Sequence, residues 1–274
     1  MKSRPSILVD SLALHEGEDV LVITDDLSVA NFFAQEAADG GCQVVVSYLL
    51  ENCRPIRSLS ENLESAIKSS DVVVTAFRKV AEEVSFRKRI LSTAIKTNAR
   101  LAHIPNVNMD MLTNCILRTD HDAVHALTSQ LAGVLARAKR VRMTSSKGTD
   151  VEMDLGGWDI VADGADSKID VYGTWGNLPG GEVFKTPVPE SAHGRLIVDG
   201  AVPGIVLADG QEIDIQIERG RVTSISERGG TEFHKTLDQI EASSTEEERG
   251  GILEIGEFGI GTNPAARRVP IAVE

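Results

Sequence analysis

Few cysteines, no long apolar run and a shortage of positive charge mark this chain of 274 residues, and each shortage removes a class of protein. Cys42, Cys53 and Cys115 are an odd number without CxxC or any other metal-ligand spacing, so neither a disulfide scaffold nor a structural zinc site is expected. The expectation is a reduced, cytoplasmic protein. The start MKSRPSILVDSL lacks the apolar stretch of a signal peptide, and no segment approaches the ~20 uninterrupted apolar residues of a membrane span, so no membrane association is expected. Lys and Arg number 28 against 41 Asp and Glu, a formal net charge of -13, which argues against nucleic acid as a partner. The phosphate-binding and nucleophile motifs GxGxxG, P-loop, GxSxG and HExxH are all missing.

What is present suits one or two ordinary cores: 42% of residues are hydrophobic and 25% charged, a globular balance. The acid excess lies wholly in the second part, because residues 1–142 carry 17 basic and 17 acidic side chains and residues 143–274 carry 11 and 24. A solvated acidic surface and an electronegative pocket for cations or amines both fit that bias.

From Glu18 to Asn106 short β-branched runs alternate with helical patterns: DVLVITDD, CQVVVSYLL, DVVVTAF and ARLAHIP read as strands, LSVANFFAQEAADGG, SENLESAIKSS and FRKRILSTAIKTN as helices. Strict alternation implies a parallel sheet covered on both faces, a three-layer α/β domain over residues 1–141. The helix DHDAVHALTSQLAGVLARAKR leads out of it. Beyond Val141 the pattern changes to strands and turns, with a hairpin about Lys147 and Gly148, the strands RLIVDGAV, EIDIQIERG and RVTSISER, and one late helix, TEFHKTLDQIEASS. Residues 142–274 are expected to form a strand-rich α+β domain with a largely antiparallel sheet.

Several clusters are candidates for chemistry. His121 and His125 share a helix face beside Asp120 and Asp122, a spacing that can hold a metal, but no third ligand is identifiable and an exposed first helical turn accounts for it. Asp25 and Asp26, in the turn after the first strand, would repel the phosphate that a dinucleotide-binding turn cradles. Arg137, Lys139, Arg140 and Arg142 suit the negative end of the preceding helix. Two stretches outside periodic structure, GTWGNLPGGEVFKTPVPESAHG and EIGEFGIGTNPAAR, each set a glutamate, Glu182 and Glu257, among apolar, Gly- and Pro-rich neighbours. Such loops build sites or serve as structural turns.

The phrases GNLPGGEVFKTPVPESAHGRLIVDG and IGEFGIGTNPAAR resemble the metallo-aminopeptidase family typified by aminopeptidases S and T, and its relative the dihydroxypyridine ring-cleaving dioxygenase. Weaker similarity runs through GEDVLVITDD, SDVVVTAF, ARLAHIPNVNMDML and TSSKGTDVEMDLGG, though AFRKVAEEV, with Phe77, Arg78 and Lys79, departs from the family's small hydroxyl-rich segment. The resemblance implies that Glu182 and Glu257 occupy metal-ligand positions of a two-metal centre, whose remaining His and Asp ligands follow TNPAAR in the family. Here no His follows His234, and the only acid after Glu257 is Glu274.

The resulting expectation is a non-catalytic relative of the peptidases that binds a peptide, such as a precursor presented to modifying enzymes, with no metal or cofactor. The residues expected to read the peptide are Asn177, Glu182, Phe184, Thr186, Glu257, Thr262 and Asn263, with Glu182 and Glu257 as vestigial ligand positions. The alternative is a metal-dependent aminopeptidase or mononuclear iron dioxygenase, using zinc, cobalt or iron, whose C-terminal catalytic segment is missing from the sequence or supplied by a partner. A structural subunit that stabilises a catalytic paralogue is a third reading. The resemblance also implies a homodimer, or a heterodimer with a relative, formed through the second domain, where the alternating Val269, Ile271 and Val273 would make an edge strand.

Overall fold

The computed structural model describes residues 6–156, 167–203 and 205–267. In chain order the helices and strands are α1 (Ile7–Leu12), β1 (Asp19–Thr24), α2 (Leu27–Asp39), β2 (Gln43–Tyr48), α3 (Glu61–Lys68), β3 (Val72–Ala76), α4 (Val84–Lys96), β4 (Arg100–His103), α5 (Met109–Asn114) and α6 (His121–Arg137). They continue with β5 (Arg140–Thr144), β6 (Asp150–Asp154), β7 (Trp175–Asn177), β8 (Glu182–Lys185), β9 (His193–Val198), β10 (Ala201–Val202), β11 (Ile205–Val206), β12 (Ile213–Glu218), β13 (Arg221–Ile225), α7 (Glu227–Ser243), α8 (Glu246–Arg249) and β14 (Phe258–Gly261). Two compact units result. Met1–Gln130, Asp163–Glu182 and Gly261–Ala266 make the first, and Leu131–Ala162, Val183–Ile260 and Arg267–Glu274 the second.

The first unit is the expected α/β structure, built on a parallel sheet in the order β2-β1-β3-β4-β7. Its central strands β1, β3 and β4 are buried on both faces, and the pleat sorts their side chains. Val20, Val22, Val72 and Val74 join Leu8, Leu12, Val29 and Phe33 from α1 and α2 in one core. Leu21, Ile23, Val73 and Leu101 join Ile67, Phe86 and Ile90 from α3 and α4 in the other. Each of these fully buried side chains stabilises the fold by roughly 1.5–3 kcal/mol. Helix starts follow the capping signals: the Asp26 carboxylate accepts from the N–H of Ser28 (2.7 Å) and Val29 (3.1 Å), and the Ser60 hydroxyl from that of Leu63 (3.3 Å). Arg100, fully buried at the start of β4, donates to the carbonyls of Leu12 (2.5 Å) and Ala13 (2.8 Å) and so ties α1 to the sheet.

Sequence periodicity reveals four parallel strands, whereas the sheet has a fifth, β7, inside the stretch read as an irregular loop. Three residues long, it is too short to show a period, and it is recruited by pairing alongside β4.

The second unit carries an antiparallel sheet in the order β13-β12-β9-β6-β5. The predicted hairpin joins β5 to β6, with Gly148 at φ 103° in the turn. Strand β12 alternates buried Ile213, Ile215 and Ile217 with less buried neighbours, and these pack with Val151, Met153 and Phe233 into a single core. Gly194 on β9 allows the sheet to close, since a Cβ there would lie 2.1 Å from the Asp150 carbonyl oxygen. Val269, Ile271 and Val273 lie outside the described residues. Among the described residues no helix is long and apolar enough to cross a membrane.

Candidate functional site

In doubly wound sheets ligands settle outside the carboxyl ends of the strands, where the strand order reverses. Here that point lies between β1 and β3, and the protein's own charges fill it. Asp25, just past β1, pairs with Arg54 and, at 3.0 Å, with Arg78 Nε. Arg54 Nε donates to Glu83 Oε1 (3.0 Å), and its guanidinium sits 5.7 Å from the centre of the Phe77 ring. The side chains of Arg54, Asp25 and Glu83 are almost wholly buried, while Arg78 lies half exposed and pairs with Glu51. Burial pushes the Glu83 carboxyl up, but its bonds from Arg54 and the Ile56 N–H, with the charges of Arg54 and Arg87, outweigh this and hold it below its usual range. Asp25 and Asp26 therefore act structurally, one as a salt-bridge partner and the other as a helix cap.

Further along the same edge a polar row crosses three neighbouring strands. Thr75 on β3 is in register with His103 on β4, and His103 with Asn177 on β7. Residues in register share a face of the sheet. Thr75 Oγ1 lies 2.7 Å from His103 Nδ1, and the Phe77 ring meets the imidazole edge to face at 6.4 Å. Thr75 is buried, His103 half buried and Asn177 exposed, so the row runs from the core to the surface. An imidazole oriented by a hydroxyl, next to an amide that donates and accepts, can bind a small polar ring and move a proton. Of these residues sequence reasoning singled out Asn177 alone. The signal for His103 was a polar residue ending an otherwise apolar strand.

The two glutamate-bearing stretches become strands, β8 and β14, which pair with each other. Along β8 the pleat points Val183 and Lys185 inward and leaves Glu182 exposed and Phe184 partly so; Thr186 and Glu257 are exposed. Lys185 is 2% exposed, and its ammonium donates to the carbonyls of Leu135 (3.4 Å), Ala136 (3.3 Å) and Ala138 (3.4 Å) at the end of α6. It caps that helix with a cation where the dipole favours one. Thr262 is buried with its hydroxyl 2.6 Å from that of Thr128, and its N–H donates to the Gly181 carbonyl (2.7 Å). Asn263 Nδ2 donates to the Gly180 carbonyl (3.0 Å) and Thr119 Oγ1 (3.1 Å), while its Oδ1 accepts from the Ala265 N–H (2.9 Å). A Cβ on Gly181 would fall 2.5 Å from that of Asn263, which accounts for the glycine. Thr262 and Asn263 thus hold the strand ends together.

Among the described residues no three His, Cys, Asp or Glu side chains gather into a metal-binding group. The set of two imidazoles and a carboxylate that suits a mononuclear iron is not built by them. His121 and His125 do not act as a pair: His121 is buried, and burial pushes its pKa down, whereas His125 is exposed. His121 lines a cleft of about 590 Å³ with Asp10, Asp122 and Lys168, and there Lys168 pairs with Asp122 at 2.7 Å.

Comparison with known proteins bears on the chemistry. The family model NicX, 2,5-dihydroxypyridine 5,6-dioxygenase, matches residues 12–273. The 2,5-dihydroxypyridine 5,6-dioxygenase of Pseudomonas putida KT2440 is 28% identical over 156 residues, which are 56% of this chain and 41% of that protein. The solved structure of 2,5-dihydroxypyridine dioxygenase from Pseudomonas putida KT2440 superposes with a TM-score of 0.61 at 20% identity, covering 97% of this chain and 74% of that one. These matches overturn the expectation of a pseudoenzyme that binds peptides on a metallo-aminopeptidase scaffold, since the matched family is named for oxygenation of a heteroaromatic ring.

Proposed function

The chain belongs to the 2,5-dihydroxypyridine 5,6-dioxygenase family, and on that premise we propose that it serves the oxygen-dependent opening of a hydroxylated pyridine ring. The observation that carries the reading is the family match over nearly the whole sequence, residues 12–273. The substrate class is a small planar ring bearing hydroxyls and a ring nitrogen. Such a ring becomes electron-rich enough for oxygenation when a hydroxyl gives up its proton.

The row at the carboxyl ends of β3, β4 and β7 suits that task. Thr75 orients the imidazole of His103 through Nδ1. His103 takes the hydroxyl proton. Asn177 stands beside it in register, exposed, and its amide can both donate to and accept from a hydroxyl or the ring nitrogen. Because the described residues gather no metal-ligand group, the roles assigned to them are binding and proton transfer alone.

The test is incubation of the purified chain with 2,5-dihydroxypyridine in air-saturated buffer, with ferrous iron added, following the ring's ultraviolet absorbance and oxygen uptake together. Equimolar loss of ring and oxygen is expected. His103→Gln should lower turnover about 100-fold or more, while calorimetric affinity for the ring stays within about threefold, the signature of a group that acts on the transition state. The absence of both ring binding and oxygen uptake, with or without added iron, would refute the proposal.

A further inference from the structure

The cleft of about 590 Å³ between α1 and the start of α6 is built by the first unit alone, and Thr75, His103 and Asn177 do not line it. Its volume falls within the roughly 300–1,000 Å³ of small-molecule sites. Val9, 47% exposed, and the half-buried Leu117 give it an apolar side. The rest of the lining is charged or polar and carries both signs.

Part of that polar lining is already engaged. Lys168 Nζ donates to the Asp10 backbone carbonyl (3.0 Å) and pairs with Asp122 (2.7 Å). Asp120 Oδ1 caps α6 by accepting from the Ala123 N–H (3.0 Å), and Asp10 Oδ2 accepts from the Ser6 N–H (3.0 Å). What remains unspent is specific: Asp10 Oδ1, Asp120 Oδ2 and the exposed guanidinium of Arg118 make no hydrogen bond or ion pair with the described residues. His121 is 5% exposed, and its Nδ1 is buried without a partner. Burial pushes its pKa down and Asp10 pushes it up, which sets Asp10 beside the imidazole. Buried polar atoms are nearly always paired. Among the described residues only Arg100 Nε, His121 Nδ1 and Ser167 Oγ break that rule, and of these His121 lines the cleft and Ser167 is the chain neighbour of Lys168.

We propose that this cleft binds a free α-amino acid with an apolar side chain, at a site separate from the ring chemistry. The ligand's carboxylate meets Arg118, whose planar fork of N–H donors matches it. Its ammonium brings three donors to the acceptors left over, Asp10 Oδ1, Asp120 Oδ2 and His121 Nδ1. Its side chain lies on Val9 and Leu117. The two signs on the lining select the zwitterion: a bare amine would face Arg118 and Lys168 uncompensated, and a bare carboxylate would face Asp10 and Asp120.

Isothermal titration calorimetry of the whole chain with L-leucine, leucinamide and N-acetylleucine tests this. Leucine should bind one to one, and the other two at least about tenfold more weakly, because each leaves one set of charged groups in the cleft without its partner. Arg118 is exposed and unpaired, so Arg118→Met should keep the fold, weaken leucine about tenfold or more, and leave leucinamide as it was. Leucine should also shift the Nδ1 resonance of His121 in a nitrogen-15 spectrum, a readout that needs no variant. No binding of leucine up to about 10 mM, equal affinity for the three ligands, unchanged affinity in Arg118→Met, or a His121 resonance that does not move would each overturn the proposal.

Discussion

Glu36, on the last turn but one of α2, turns its carboxylate onto the start of α1, accepting from the N–H groups of Ile7 (3.1 Å) and Leu8 (3.2 Å). Burial pushes its pKa up, the two N–H bonds and Ser6 oppose the rise, and Asp10 adds to it, leaving a value of about 7 against an ordinary 4.5. Between these two values the folded chain binds a proton that the unfolded chain has released. Stability is therefore greatest at acid pH and declines as pH rises through the window. From pH 5 to pH 8 this group alone removes about 2.5 kcal/mol, since each pKa unit of difference is worth about 1.4 kcal/mol. Glu36→Gln mimics the protonated side chain and cannot ionise. At pH 5 its urea midpoint should lie close to that of the wild type, and at pH 8 the variant should be the more stable by about 2.5 kcal/mol. Comparing the two proteins across pH cancels every other titrating group. A difference that stays flat from pH 5 to pH 8 would refute the assignment, and so would a variant less stable at pH 8, which would mean that the bonds to α1 outweigh burial.

Arg54→Met should destabilise the first unit by about 3–5 kcal/mol, because Glu83 would lose its buried ion-pair partner and Asp25 would keep only the half-exposed Arg78; combining it with Asp25→Asn and Glu83→Gln should restore most of the loss in urea unfolding. Asn263→Ala removes the donor that joins the Gly180 carbonyl to Thr119, and should cost about 1–3 kcal/mol by the same measurement. Gly181→Ala sets a Cβ against Asn263 at a backbone φ of 111°, so its loss of stability should exceed that of Asn263→Ala, and equal midpoints for the two would contradict the close-packing account.

The parallel strands were legible because burial on both faces leaves near-continuous β-branched runs, and the antiparallel strands because Ile213, Ile215 and Ile217 alternate with polar residues. Helix starts were legible at Ser60 and after Asp25 and Asp26, where capping side chains stand in plain view. Strand β7 was not. Its three residues carry no period, and only the neighbouring β4 makes them a strand. The His103 row was hidden for the same reason: Thr75, His103 and Asn177 are scattered in sequence, and register alone lines them up.

The two long phrases teach a further lesson: they resemble both the peptidases and the dihydroxypyridine dioxygenase, and the family match bears out the second, whereas the weight placed on the first carried the peptide-binding reading that the match overturns. Their letters serve architecture first. Gly181 permits a close approach, Lys185 caps α6, Thr262 joins Thr128, and Asn263 ties the ends of the strand pair. A phrase that fixes close packing identifies a scaffold, and one scaffold hosts more than one reaction. The glutamates drew attention as carboxylates among apolar neighbours, yet the pleat of β8 leaves Glu182 exposed, and among the described residues neither it nor Glu257 joins a metal-binding group. What separates a peptidase from a ring-opening oxygenase must therefore be sought in residues that packing does not demand. Under the proposed function, those on the sheet edge are His103 and Asn177.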